Sequence, residues 1–248
     1  MRWVAARANR CSYTQRYAEA DLVRTGMPRQ AVNRLESTLD SLPEKELAAI
    51  IFARKLTLSA DSITDEEVAE LVAAFGEQPV VAMVLQMAYA NFQVRLLLTL
   101  NADIEPDGHL PSLAVRFIAP AAGESIAAAR PEATSAKSPT AQSSVTLERD
   151  WASISFDQLL RGMEQQRQRP GRVSVPAWED VLPRWPPGMY PADKPVRIKW
   201  SLVVMGHQPQ LGPAWLKCLR TFGREAKQDR VLEETLFWVI TRTIHCFY

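Results

Sequence analysis

The stretch Leu236-Phe237-Trp238-Val239-Ile240-Thr241-Arg242-Thr243-Ile244-His245-Cys246-Phe247-Tyr248 lies without a gap over Met1 to Tyr13, each residue 235 positions after its counterpart. Five positions are identical: Trp3 and Trp238, Val4 and Val239, Arg7 and Arg242, Cys11 and Cys246, Tyr13 and Tyr248. Trp and Cys are rare residue types, so their coincidence in one ungapped window points to duplication. A spacing this long is not a solenoid period and implies two tandem copies of one domain. The register predicts a window on a longer two-domain protein, in which the first copy lacks its beginning and the second stops just after its cysteine.

Outward from this repeat, residues 1–118 read as helical. Ser41-Leu42-Pro43-Glu44 is a helix start, with proline suited to the first turn. Thr64-Asp65-Glu66-Glu67 fits a capping box, and Val68, Leu71, Val72 and Phe75 follow at i, i+3, i+4 and i+7. Residues 80–100 are apolar nearly all round, which predicts a helix buried between neighbours. Asn91 and Arg95 on that helix then need internal partners, as a structural pair.

Residues 119–147 are dominated by Ala, Ser, Thr and Pro and predict a disordered linker. Fourteen of the 17 prolines lie between Pro106 and Pro213, which argues against long helices there. One helix fits at Phe156 to Arg167. The segment 148–213 otherwise predicts an extended, Pro/Trp-rich wrap with Trp178, Trp185 and Trp200 as packing anchors and a short strand at Val196–Met205. Helical character returns at Ala214 to Phe222 and from Gln228 onward, so 214–248 reads as the opening of the second copy.

With 29 basic and 28 acidic residues the formal charge is +1, and the basic residues are scattered rather than striped. That excludes an electrostatic nucleic-acid footprint. The nearly apolar run Val80 to Phe92 falls short of a bilayer span, and Arg2, Arg7 and Arg10 interrupt any signal-peptide pattern, so no membrane role is expected. Three cysteines, Cys11, Cys218 and Cys246, are odd in number and far apart, which predicts a reducing, cytoplasmic setting rather than a disulfide framework. Cys218, in Trp215-Leu216-Lys217-Cys218-Leu219, reads as a core thiol. His109 and His207 read as hydrogen-bonding loop residues. Cysteine and histidine spacing supports no metal site, and no cofactor motif is present.

Thiol redox chemistry needs a thiolate with a resolving thiol in reach, as C-x-x-C at a helix N-terminus supplies. In Cys11-Ser12-Tyr13-Thr14-Gln15-Arg16-Tyr17 the second cysteine position holds Thr14, whose hydroxyl cannot close a disulfide. In Cys246-Phe247-Tyr248 that position would be the next residue.

Phe237 to Tyr248, with Glu234 twelve residues before Cys246, resembles the carboxymuconolactone decarboxylase/alkylhydroperoxidase D-like superfamily, whose members carry a Glu, then C-x-x-C, then a His. The stretch Leu42 to Leu100, with Ile63 to Glu67 and Asn91 to Arg95, resembles the later helices of that domain. The likeness spans roughly 1–105 and 214–248. It implies an all-α helical bundle of the alkylhydroperoxidase D-like type and self-association through the helical domains. It also implies thiol-dependent hydroperoxide reduction in the parent protein, with a hydroperoxide substrate and a thiol reductant. By the same likeness Glu234 matches the proton-relay glutamate and Cys246 the first cysteine, as the catalytic pair. Cys11 matches the first cysteine of a degenerate motif, with Thr14 in the second position and Tyr17 near that of the His.

On one straight helix Glu234 and Cys246 would stand about 18 Å apart along the axis. The resemblance therefore predicts a helix break between them, at Thr243-Ile244. Two functions follow: a thiol peroxidase centred on the second copy, or a catalytically inactive structural or protein-interaction domain that keeps the helical fold. The C-terminal apolar face of Leu232, Leu236, Val239 and Ile240 is expected to pack on residues 1–100, with 148–213 wrapped outside.

Overall fold

A computed structural model describes residues 1–105, 155–185, 187–188, 195, 198–225, 229–244 and 246. The expected linker 119–147, the end of the segment 1–118, His109 and His245 lie outside the described residues. Every regular element among the described residues is helical, so the chain is all-α there. The first part holds α1 (Arg2–Ala8), α2 (Ser12–Arg24), α3 (Arg29–Asn33), α4 (Leu35–Thr38), α5 (Glu44–Leu58), α6 (Asp65–Phe75) and α7 (Glu77–Thr99). The second holds α8 (Phe156–Gln168), α9 (Trp178–Val181), α10 (Lys199–His207), α11 (Leu211–Glu225) and α12 (Arg230–Thr243).

Local chemistry sets the helix limits of the first part. α5 starts behind Pro43. At α6 the capping box is complete: Glu67 N donates to Thr64 Oγ1 at 3.2 Å and Thr64 N donates to Glu67 Oε2 at 2.8 Å. Each bond satisfies an N–H that the first helical turn leaves without a partner. Gly76, at φ +85, turns the chain between α6 and α7, and Pro79 sits in the first turn of α7, where a missing N–H costs nothing.

α7 is the central strut, packing against α1, α2, α5, α6 and α10. Trp3, Val4, Ala5, Ala18, Ala53, Met87 and Ala90 form one core cluster around α1. Ala49, Phe52, Ile63, Val68, Leu71 and Val80 form another around α6. Burial of the larger members contributes roughly 1.5–3 kcal/mol each. Two expectations for α7 are corrected. It is buried on one side only: Met87, Ala90 and Val94 face the core, while Tyr89, Phe92 and Leu96 are exposed. At 23 residues and mean hydropathy 1.3, Glu77–Thr99 is also long and apolar enough, by length and composition, to cross a membrane.

The second part has its own core of Trp178, Val181, Trp185, Leu202, Met205 and Leu216. The Trp178 and Trp185 rings lie 5.7 Å apart between centroids, so these two act as anchors, whereas Trp200 is exposed. Where a strand was expected at Val196–Met205, the described residues from Lys199 on form α10. Its buried residues Ser201, Leu202, Val204 and Met205 follow helical rather than alternating spacing. The segment 148–213 is therefore partly helical, and among its described residues 169–177 run irregularly over the first part. Arg169 and Arg172 both donate to Asp65 Oδ1, at 2.7 and 2.6 Å, and Arg172 also reaches the Ile63 carbonyl at 2.7 Å. Ser174 N donates to Glu77 at 2.9 Å, and Gln208 Nε2 to the Gln78 carbonyl at 2.8 Å. His207, the last residue of α10, lies 3.0 Å from the Ser174 carbonyl. Pro176 seats so closely on α10 that a Cβ at Gly206 would lie 2.2 Å from its Cγ, which only glycine tolerates.

The expected docking of α12 is not what the described residues show. Of the expected face, Leu232, Leu236 and Ile240 remain exposed and Val239 is half-buried; Val231, Phe237 and Trp238 are exposed as well. Cys218 is likewise exposed rather than a core thiol. It stands two residues past buried Leu216, about 200° round α11 and so on the opposite side.

Candidate functional site

The duplicated cysteine sits in a duplicated turn. α1 ends at Ala8, and Cys11 N donates to the Ala6 carbonyl at 2.9 Å while Arg10 N donates to the Arg7 carbonyl at 3.0 Å. This pair of bonds is a Schellman C-cap, with Arg10 in the left-handed region at φ +57 where glycine is usual. α12 ends at Thr243, 235 positions on, and Cys246 N donates to the Thr241 carbonyl at 2.8 Å. The helix break expected at Thr243-Ile244 is therefore present, and the backbone bond that carries the cysteine is the same in both copies.

In the first copy Cys11 is 2% exposed and caps the start of α2. Thr14 turns its hydroxyl onto the Cys11 carbonyl, 3.4 Å away, and offers the sulfur no redox partner. Tyr17 donates to Glu105 Oε2 at 2.7 Å, and Tyr13 donates to Glu105 Oε1, with the two rings stacked 4.9 Å apart. The bond to the Glu105 carboxylate holds the Tyr13 phenol well above the ordinary tyrosine range, because losing the proton would set two anions face to face. A phenol so held is a poor proton donor near neutral pH. It ties α2 to the chain that leaves α7.

A polar chain runs beneath this turn. Asn9 Nδ2 donates to Asn91 Oδ1 at 2.9 Å, and Asn91 Nδ2 donates to Thr57 Oγ1 at 3.3 Å and to the Met87 carbonyl at 3.0 Å. Asn91 thus has the internal partners its position demanded, while Arg95 is exposed. Glu105 and Asn9 escaped the sequence reading. A signal for the first was present: two tyrosines at i and i+4 share a helix face and require an acceptor.

In the second copy Cys246 is exposed. The turn draws its backbone back to the level of Thr241, about 10 Å along the axis from Glu234 rather than 18 Å. Glu234 does not turn toward it; its carboxylate pairs with Arg230, one turn further from the cysteine, and is largely in solvent. The structure brings together Cys11, Thr14, Tyr13, Tyr17 and Glu105 around the first turn, and it does not join Glu234 to Cys246 among the described residues. No group of three or more metal-ligating side chains occurs among the described residues. A surface hollow lined by Pro28, Gln30, Ala31, Arg34 and Thr38 includes no residue of either cysteine turn. Comparison with protein-family models, curated proteins and solved structures finds no match to this chain.

Proposed function

We propose that this chain is a catalytically inactive structural and protein-interaction domain built on an alkylhydroperoxidase-like helical fold. The observation that carries the reading is the first cysteine turn: a buried Cys11 thiol, Thr14 in place of a resolving thiol, and Tyr17 held by Glu105. A hydroperoxide needs access to a thiolate and a source of protons for its leaving alkoxide. This turn offers neither, yet its backbone geometry is kept. The exposed apolar side chains of α7, α11 and α12 supply contact surface of the kind that binding domains use.

The second reading, thiol-dependent hydroperoxide reduction by Cys246 with Glu234, is favoured by one observation: the Cys246 thiol is exposed at the same turn. Turnover of tert-butyl hydroperoxide with dithiothreitol separates the two. The expected result is a rate equal to that of the Cys246→Ser variant. Turnover that this substitution abolishes establishes the peroxidase reading instead.

A further inference from the structure

Charge is unevenly shared along this chain. Residues 194–227 hold seven basic residues and one acidic residue, Glu225, while the rest of the chain is net negative. α11 lies in that basic window, and its surface has three sides. At about 100° per residue, Leu211, Trp215, Cys218 and Phe222 fall within roughly 60° of one another. Lys217, Arg220 and Arg224 fall within a similar arc on the opposite side. Between the two arcs lies the seated side: Leu216 joins the Trp178 and Trp185 core, and Gly212 lies against Met205.

The apolar arc is open: Leu211 is 44% exposed, Phe222 62%, Cys218 is exposed and Trp215 is half-buried. A helix held along one side leaves a flank that a plane can cover, but that a groove closing around a whole helix cannot. Aromatic and aliphatic residues on one arc with Lys and Arg on the other are the composition of a helix lying in a lipid interface. Such a helix is only about 10 Å thick, so its basic side stays within roughly one Debye length of an anionic surface, and the long stems can bend back toward it. Glu225 pairs with Arg224 at 3.0 Å in an exposed contact, and α11 still keeps a net positive charge. At 15 residues, about 22 Å, α11 is too short to span a bilayer and long enough to lie on one.

We propose that α11 seats this chain on an anionic lipid surface, with Leu211, Trp215 and Phe222 entering the headgroup boundary and Lys217, Arg220 and Arg224 drawn by the headgroup charge. This goes beyond the interaction reading above, because what α11 meets is a membrane surface rather than a protein. It does not depend on the chemistry of either cysteine turn. One short helix with three apolar anchors gives reversible binding that follows lipid composition, not permanent insertion.

Co-sedimentation of the full chain with vesicles of phosphatidylcholine alone, and of phosphatidylcholine mixed with phosphatidylglycerol, tests this. The mixed vesicles should bind the chain at least ~10-fold more tightly, and the difference should shrink as salt rises. Lys217→Gln combined with Arg224→Gln should weaken binding about 20-fold, at roughly five-fold per basic residue. Phe222→Ser should weaken it about 10-fold by removing one anchor. All three positions are exposed, so helix content by circular dichroism should stay that of the parent. The two lipid compositions test the parent chain without any variant. Absence of binding to the mixed vesicles overturns the proposal, and so does equal binding to both compositions. Binding that ignores the α11 variants, as insertion through α7 would, also overturns it. So does binding that the charge pair weakens and Phe222→Ser leaves unchanged, or retention on heparin without vesicle binding, since either marks an acidic macromolecule as the partner. The peroxidase assay contains no lipid, so failure of the functional reading and failure of the lipid reading are separate results.

Discussion

Trp3 is 8% exposed and Trp238, its counterpart 235 residues on, is 49% exposed. Cys11 is buried and Cys246 is not. Yet both helices end at the same register and both cysteine amides bond the carbonyl five residues earlier. The local sequence of thirteen residues sets where the helix stops and how the chain turns, since those depend on neighbouring backbone groups. The environment of the thiol depends on what packs around the turn: α2, α5 and α7 pack on α1 and Cys11 is buried, whereas Cys246 is exposed. The backbone turn and the environment of its thiol are thus set separately.

The largest effect that sharpens this contrast is at the paired tryptophans. Trp3→Ala removes a core ring and its Nε1 bond to Glu19, 3.0 Å long, and should cost ~3–5 kcal/mol in urea unfolding. Trp238→Ala, losing an exposed ring stacked by Arg242, should cost under ~1 kcal/mol. Equal losses would mean that α12 is as well covered as α1.

The next pair exchanges residues between copies. Ala5→Ile should destabilise by ~1–3 kcal/mol through overpacking, whereas Ile240→Ala should leave stability within ~0.5 kcal/mol. Denaturation midpoints check both, and a tolerated Ile at position 5 would open the seat of α1 to α12.

Acid should narrow the gap between the two regions by loosening the first. Lys55 donates two hydrogen bonds to Glu67, at 2.6 and 2.8 Å, and with the Thr64 amide they hold the Glu67 carboxyl below its ordinary value of 4.5. A lowered folded-state pKa means stability present above the unfolded value and lost as pH falls through the folded one. Burial alone would raise the Asp65 carboxyl, but Arg169 and Arg172 outweigh it and hold it low as well, with the same sign. Thermal melts from pH 6 to about pH 2 should show a loss that Glu67→Gln flattens while keeping the capping contact. An unchanged slope in that variant would assign the acid loss elsewhere.

The smallest effect tests the turn itself. Arg10 holds φ +57 where glycine rests without strain, so Arg10→Gly should stabilise by up to ~1 kcal/mol. A loss of stability would show that the Arg10 side chain contributes more than its backbone costs.

Much of the first part was legible in the sequence because short-range chemistry sets it. The α6 box is a reciprocal pair three residues apart, Pro43 marks the start of α5, and Val68 and Leu71 lie on one helical face. The break after Thr243 was legible through the resemblance rather than through propensity. What escaped depends on long-range placement. Composition could not say that α7 covers one side only, since the exposed Phe92 and the buried Val94 read alike in an apolar run. Nor could it place Cys218, whose exposure follows from which side of α11 meets Met205. Among the prolines, α10 formed because Ser201, Leu202, Val204 and Met205 cover the Trp178 and Trp185 core, a tertiary gain that outweighs a strand-like local pattern. The Tyr13–Glu105–Tyr17 latch joins residues about ninety apart in sequence, so the paired tyrosines signal an acceptor without saying which residue supplies it.

The central claim is that one turn carries two thiols in opposite environments. Timed alkylation of the native chain with iodoacetamide, read by peptide mass spectrometry at Cys11, Cys218 and Cys246, tests it most directly. Cys218 and Cys246 should label at the rate of an exposed thiol, and Cys11 at least ~10³-fold more slowly, since it reacts only when the first part opens. Comparable labelling of Cys11 and Cys246 in the native chain would contradict the account.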